Sequence, residues 1–251
     1  MSVEVVFAVW GWFPGFQHCL ESIRRFTPNA KITVLGDEET AQHIECLPIG
    51  DFMAGANAFA SVYKHNSPNP APFELKCFQR WFVLAEFARS RNLTEFWSFD
   101  WDVLVFTDLA AENLRVGMST PLHVFYCRKL NWLETWLEQI TEAYRFENCA
   151  YSQWVANWQR GNWLTVCDMY IAYHTLPHLD AMSVSGLSHW DHNLATDDGA
   201  FEVGPQGKTL TWADGKPYAR HSSGSWVRLN CLHCWGVHKG KLGEYLATAA
   251  L

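Results

Sequence analysis

The sequence predicts an α/β fold: a mixed, mainly parallel sheet flanked by helices, in a single domain. Three observations predict it. A β-branched run, "VEVVFAVWGW", is followed by an amphipathic stretch and then a second β-branched run, the strand–helix–strand rhythm of a right-handed parallel crossover. The 251 residues, 49% of them hydrophobic, suffice to bury one substantial core. No internal repeat or low-complexity segment divides the chain.

The elements follow in order. The first strand ends at Gly11. "GFQHCLESIRRFTPN" has helical spacing, with Phe16, Cys19, Leu20 and Ile23 on one side and a stop at Thr27-Pro28-Asn29. "AKITVLGDEE" is a second strand ended by Gly36, and "IECLPIG" reads as a third. Residues 50–72 are small, polar and punctuated by proline, so they read as loop, most clearly at "HNSPNPAP". "FELKCFQRWFVLAEFARSRN" is a long amphipathic helix: Phe78, Trp81, Phe82 and Ala85 recur near the helical period, while Lys76 and Arg80 lie one turn apart on another face. "FWSFDWDVLVF" reads as an extended segment and "PLHVFYC" as a further strand. Helices are expected around "NWLETWLEQITEAYRF", "SQWVANWQRG" and "VCDMYIAYHTL". Short strands and loops follow, through "LNCLHCWGVHKGKLGEYLA".

A net charge of −7 and a pI near 5.8 argue against nucleic-acid and anionic-membrane partners, which an acidic field repels. No window has the apolar length of an integral membrane segment, and the N-terminal stretch lacks the basic region of an export signal. Eight scattered cysteines suit reduced thiols better than a disulfide scaffold, so a cytoplasmic protein is expected. The 15% aromatic content, with 14 tryptophans, supplies flat faces with polar edges that suit sugars or nucleobases.

The chemistry concentrates in two motifs. In an extended chain Asp100 and Asp102 point to the same side, with Trp101 opposite. Two such carboxylates are costly in a dry site unless a cation compensates them. All-oxygen ligands favour Mg²⁺ or Mn²⁺, whose shell is often completed by substrate phosphates. A solvated strand end is the bland alternative. The second motif, "HCWGVHKG", spaces His233, Gly236 and Lys239 as His-x-x-Gly-x-x-Lys. The imidazole can add a nitrogen ligand, the glycine lets backbone approach phosphate oxygens, and the lysine brings a positive charge to a diphosphate.

An Asp-x-Asp after an N-terminal α/β unit, with a C-terminal His-x-x-Gly-x-x-Lys, resembles the GT-A fold glycosyltransferases, most of all the glycogenin-like retaining family. The resemblance runs from the first strand to Lys239, with its specificity in the two motifs. It implies that Asp100, Asp102 and His233 hold Mn²⁺ (or Mg²⁺) and that Lys239 contacts the diphosphate of a nucleotide-sugar donor, a UDP-sugar. It also implies a GT-A (Rossmann-like) domain with a nucleotide-binding half, 1–106, and an acceptor-binding half, 107–251. The acceptor would be the hydroxyl of a carbohydrate or other molecule. The chain departs from the family at Gly240-Lys241, where Pro-Trp is usual, and at Trp101, where a small or aliphatic residue is usual.

Other residues carry single roles. Asp168 stands before an apolar helical run, where similar transferases have an Asp-Met pair beside the sugar or acceptor; it is either a base or sugar-orienting group, or a helix cap. Lys76 and Arg80 are placed to reach donor phosphates or sugar, or else to line a solvated helix face. Trp10-Gly11-Trp12 and Asp37, at strand ends where doubly wound sheets bind nucleotides, are read as base and ribose contacts. Asp191, Asp197 and Asp198 lie in a polar loop that could touch acceptor or simply form turns. Cys231 and Cys234, with His233, His238, His189 and His192 in reach, make a rival zinc site that lacks a second cysteine pair. Neither a Gly-rich phosphate loop nor a hydrolase nucleophile motif is present. A metal-dependent nucleotidyltransferase or pyrophosphatase-like enzyme, and a non-catalytic nucleotide- or carbohydrate-binding domain, are the alternatives.

Overall fold

The structure, a computed structural model, describes residues 3–112, 122–161, 166–175, 188–191, 193–195 and 201–250, with the backbone alone for 173–175 and 188–189. The N-terminal crossover is β1 (Val3–Val9), α1 (Phe16–Phe26) and β2 (Ala30–Gly36), followed by one helical turn, α2 (Glu38–Ala41), and the two-residue β3 (Leu47–Pro48). β1, β2 and β3 pair in parallel, and Phe16, Cys19, Leu20 and Ile23 of α1 are all buried, as the helical spacing requires. The third strand is short because Pro48 donates no backbone hydrogen bond and the chain enters a 3-10 turn at Ile49–Phe52.

The expected loop over 50–72 contains a helix, α3 (Ala54–Ala60), before the long α4 (Ala71–Ser90). Its alanines and glycine hide the helical period, and its largest anchor is the fully buried Phe59, whose ring centroid lies 5.4 Å from that of Phe78 in α4. Beyond α4, the apparent strand 96–106 is two strands, β4 (Phe96–Phe99) and β5 (Val103–Val105). Between them the chain turns at Asp100-Trp101-Asp102, with the Val103 N–H donating to the Asp100 carbonyl at 3.2 Å. The acidic pair therefore sits in a turn, not in an extended run. β6 (Val124–Cys127) returns antiparallel to β4, and α5 (Leu130–Phe146), α6 (Cys149–Gln159) and α7 (Asp168–Thr175) follow.

The first sheet has the order β3-β2-β1-β4-β6, parallel up to β4 and flanked by helices. This is the mixed, mainly parallel sheet that the sequence predicts. A second sheet was not visible in the pattern. It is built from β5 and from the C-terminal strands β7 (Ser188–Trp190), β10 (Leu210–Ala213), β11 (Lys216–Arg220) and β12 (Trp226–His233). β8 (Val203–Gly204) and β9 (Gly207–Lys208) form a separate ribbon, and α8 (Leu242–Thr248) packs against α1. Within the second sheet β10, β11, β12 and β5 are antiparallel, in register His233↔Val103 and Cys231↔Val105.

α1 is tied to β5 through one buried hydroxyl. Ser22 Oγ accepts the Val105 N–H at 2.9 Å and donates to the Cys19 carbonyl at 2.7 Å. Ser22→Ala orphans that N–H, so we expect a loss of about 1–3 kcal/mol. The measurement is a urea midpoint at unchanged slope; an unmoved midpoint would show that the N–H finds another partner.

Candidate metal centre

The site forms where the strand order reverses between β1 and β4, the crevice in which doubly wound sheets bind ligands. β4 delivers Asp100 and the turn delivers Asp102. β12 delivers His233 from the far end of the sequence, because its antiparallel ladder sets His233 opposite Val103 and lets the Cys234 N–H bond the Asp102 carbonyl at 2.8 Å. One ligand atom from each of Asp100, Asp102 and His233 lies within 4.8 Å of the others, the one such group among the described residues. An octahedral ion with bonds of about 2.1 Å sets opposite ligands about 4.2 Å apart. The donor set could hold a divalent ion after a small contraction.

Asp102 has two partners here. Lys239 Nζ is 3.0 Å from Asp102 Oδ2, and His233 Nε2 is 3.5 Å from Asp102 Oδ1. Burial alone raises the Asp102 carboxyl, but His233 and Lys239 outweigh it and hold the carboxyl below its ordinary value. Arg80 bonds Asp100 Oδ1 through Nη1 and Asp168 Oδ2 through Nη2, the latter at 3.1 Å, with its guanidinium over the Trp81 ring. Burial lowers the Arg80 pKa, and the two aspartates more than reverse this, so the guanidinium stays charged. Arg80 is thus turned inward between two carboxylates.

Asp168 is the first residue of α7, accepts its neighbour Met169's N–H at 2.9 Å, is 2% exposed and takes the Trp81 indole N–H at 2.7 Å. Gly236 opens the 3-10 turn Gly236–Lys241 with φ +62°, a conformation that favours glycine, and nothing lies within 4 Å of where a Cβ would stand. Trp101 packs on Phe13 at 5.7 Å between centroids, which accounts for an aromatic residue inside the acidic turn. Cys19 lies beneath that turn, fully buried; burial, then the charges of Asp102 and Asp100, push its thiol far up.

The remaining predicted residues divide. Asp37 caps α2 and joins the ends of β1 and β2, accepting N–H bonds from Thr40 at 3.0 Å and from Gly11, at φ +84°, at 2.9 Å. Trp10 is half-buried against the core, and Trp12 stacks on His43 at 4.6 Å. Lys76 is exposed and close enough to Asp37 to act on its charge. Asp191 is no acceptor loop residue: it is fully buried and paired with Lys208 at 2.6 Å. Cys231 and Cys234 pack into different core clusters on opposite faces of β12, so the structure does not assemble them into a zinc pair. His238 is buried and bonds the Tyr245 hydroxyl at 2.8 Å. Asp197, Asp198, His192 and the His189 side chain lie outside the described residues. Sequence reasoning missed His123, whose ring stacks on that of His233 with centroids 4.3 Å apart. A histidine heading the apolar run "HVFYC" was the available signal.

No protein-family model and no curated protein matches this chain. Among solved structures it is similar to the apo-form glycosyltransferase GlyE of Streptococcus pneumoniae TIGR4, with a TM-score of 0.37 and 14% identity over 70% of this chain and 50% of that one. The chain thus spans about half the length of that protein. All eight cysteines are free, and among the described residues no helix is long and apolar enough to cross a membrane.

Burial raises the Asp37 carboxyl, but the bonds from Thr40 and Gly11 and the Lys76 charge bring its pKa below the ordinary value. Its contribution to stability is therefore complete above the unfolded carboxylate value of about 3.9 and disappears as pH falls through the folded value. Between about pH 5 and pH 2, Asp37→Ala protein should lose less stability than wild type. Urea midpoints across that range check it, and parallel profiles would count against the shift.

Proposed function

We propose that this chain is a cytosolic, metal-dependent glycosyltransferase of the GT-A, glycogenin-like type, which moves a hexosyl group from a nucleotide sugar, a UDP-sugar, to an acceptor hydroxyl. The single observation that carries the reading is the convergence of Asp100, Asp102 and His233 on one point, with Lys239 beside them and the open Gly236 backbone following. Bound there, Mn²⁺ or Mg²⁺ supplies Lewis-acid stabilisation of the charge that develops on the leaving diphosphate. The protein's own groups do the rest. Lys239 exchanges Asp102 for a diphosphate oxygen, and the Gly236 backbone approaches the same phosphates without steric hindrance.

The nucleotide-binding half, 1–106, brings Trp10 and Asp37 to the base and ribose and Lys76 to the donor. The acceptor-binding half, 107–251, closes the site with His233 and Asp168. Asp168, desolvated and oriented by Arg80 and Trp81, faces the sugar or the acceptor hydroxyl as base or orienting group.

Calorimetric titration of UDP with and without Mn²⁺ tests the reading. Strong mutual dependence is expected, together with UDP release from a UDP-sugar that Asp100→Ala abolishes. Release of UMP would instead indicate nucleotidyl transfer, and UDP binding without turnover of any sugar donor would indicate a binding domain. Lys239→Ala separates the lysine's two partners: Mn²⁺ alone should bind more tightly because a competing cation has gone, while UDP should bind about 10–100-fold more weakly for want of a charge-assisted bond. A variant that weakens both equally would place Lys239 outside the exchange.

A further inference from the structure

His123 touches both sides of the metal centre. Its carbonyl accepts the Asp100 N–H at 2.9 Å, just before β6 begins. Its ring, 1% exposed, lies nearly parallel to that of His233, 14° between planes. The His123 ring is itself held: Nε2 is 2.8 Å from the Asp191 carbonyl. A carbonyl only accepts, so Nε2 carries the proton, and this fixes which way the ring sits.

Asp191 ties the same knot to the His233 backbone. Its Oδ2 takes the His233 N–H at 3.0 Å, and its Oδ1 takes Lys208 Nζ at 2.6 Å. The Lys208 N–H bonds the Leu194 carbonyl at 2.8 Å, and the Leu194 N–H bonds the His233 carbonyl at 3.1 Å. Both backbone polar groups of His233 are thus engaged. The Asp191–Lys208 pair is fully buried on both sides, and such a pair adds little net stability over an apolar replacement. What it does supply is a fixed place for the carbonyl that orients His123.

We propose that His123 is a positioning residue for the metal centre: its ring sets the plane of the His233 imidazole toward Asp102, while its backbone holds Asp100 in place. The proposal rests on the reading of Asp100, Asp102 and His233 as metal ligands. Hydrogen-bonded groups that orient a metal-binding imidazole govern affinity strongly, their loss costing about 10–100-fold, and a stacked ring constrains the same orientation.

Two variants of similar bulk read the ring alone, since both keep the backbone bond to Asp100. His123→Phe retains a flat face against His233, and His123→Leu removes it. With Leu, Mn²⁺ affinity measured by calorimetry should fall about tenfold or more, and the visible spectrum of bound Co²⁺ should change. With Phe, which keeps the flat face but gives up the bond to the Asp191 carbonyl, both should change clearly less than with Leu. In metal-free protein the ring-proton NMR signals of His233 should move further in the Leu variant than in the Phe variant. Equal behaviour of the two variants in all three measurements, whether both intact or both impaired, overturns the proposal. A wild-type protein that shows the NMR signature yet binds neither ion overturns the metal-centre reading while leaving the ring contact established.

Discussion

The site exists because β12 pairs with β5 in one register. Side chains in a ladder alternate faces, so a slip of one residue would turn His233 away from the acidic turn. Alternate burial locks that register. Val103, Val105 and Cys231 enter one core cluster, and Leu104, Leu232 and Cys234 enter another, so each position across the ladder has its own packed face. The same alternation that sends Cys231 and Cys234 apart brings His233 beside Asp102. Ser22 of α1, bonded to the Val105 N–H, fixes β5 from its other side.

The acidic pair raises a problem of charge, and the protein solves it locally. Asp100, Asp102 and Asp168 face two cations, Arg80 and Lys239. Each carboxylate of the Asp-x-Asp motif has a positive partner of its own, so the turn can fold before any ion binds. Arg80 is the more deeply committed of the two cations, because it bridges two elements and stacks on Trp81. Lys239 pairs with one carboxylate, lies over the Phe13 ring and stands on a short turn. Planar guanidinium and flexible ammonium suit these different duties.

Much of this arrangement was legible in the sequence, and the limits have physical causes. The crossover from β1 to β2 and the buried face of α1 follow from hydrophobic period alone. The helix α3 escaped because alanine and glycine carry almost no periodic signal, and its one strong anchor, Phe59, needs α4 to give it meaning. The break at Asp100 escaped because the flanks of the turn are as apolar as strands. The second sheet escaped for a deeper reason: its pairing of β12 with β5 joins segments more than a hundred residues apart, and no local pattern records a partner. The two motifs were visible as chemistry before they were visible as geometry. His123 and Lys208 were not, since a lone histidine in an apolar run and a lone lysine near a glycine read as ordinary until the fold sets them against His233 and Asp191.

Exposure separates the ion pairs that serve the fold from those that can serve a ligand. Lys208 and Asp191 have no exposed side-chain surface, so nothing arriving from solvent meets either of them. Lys239 is 36% exposed where it meets Asp102, and Arg80 is 19% exposed where it meets a 24% exposed Asp100. An incoming cation can displace these partners without breaking the core, and an incoming anion can take up the lysine they release. The buried pair keeps His233 still while the exposed pairs rearrange around it. On the proposed reading, a site that binds a metal and a diphosphate together needs both kinds: a ligand that must not move and charges that must.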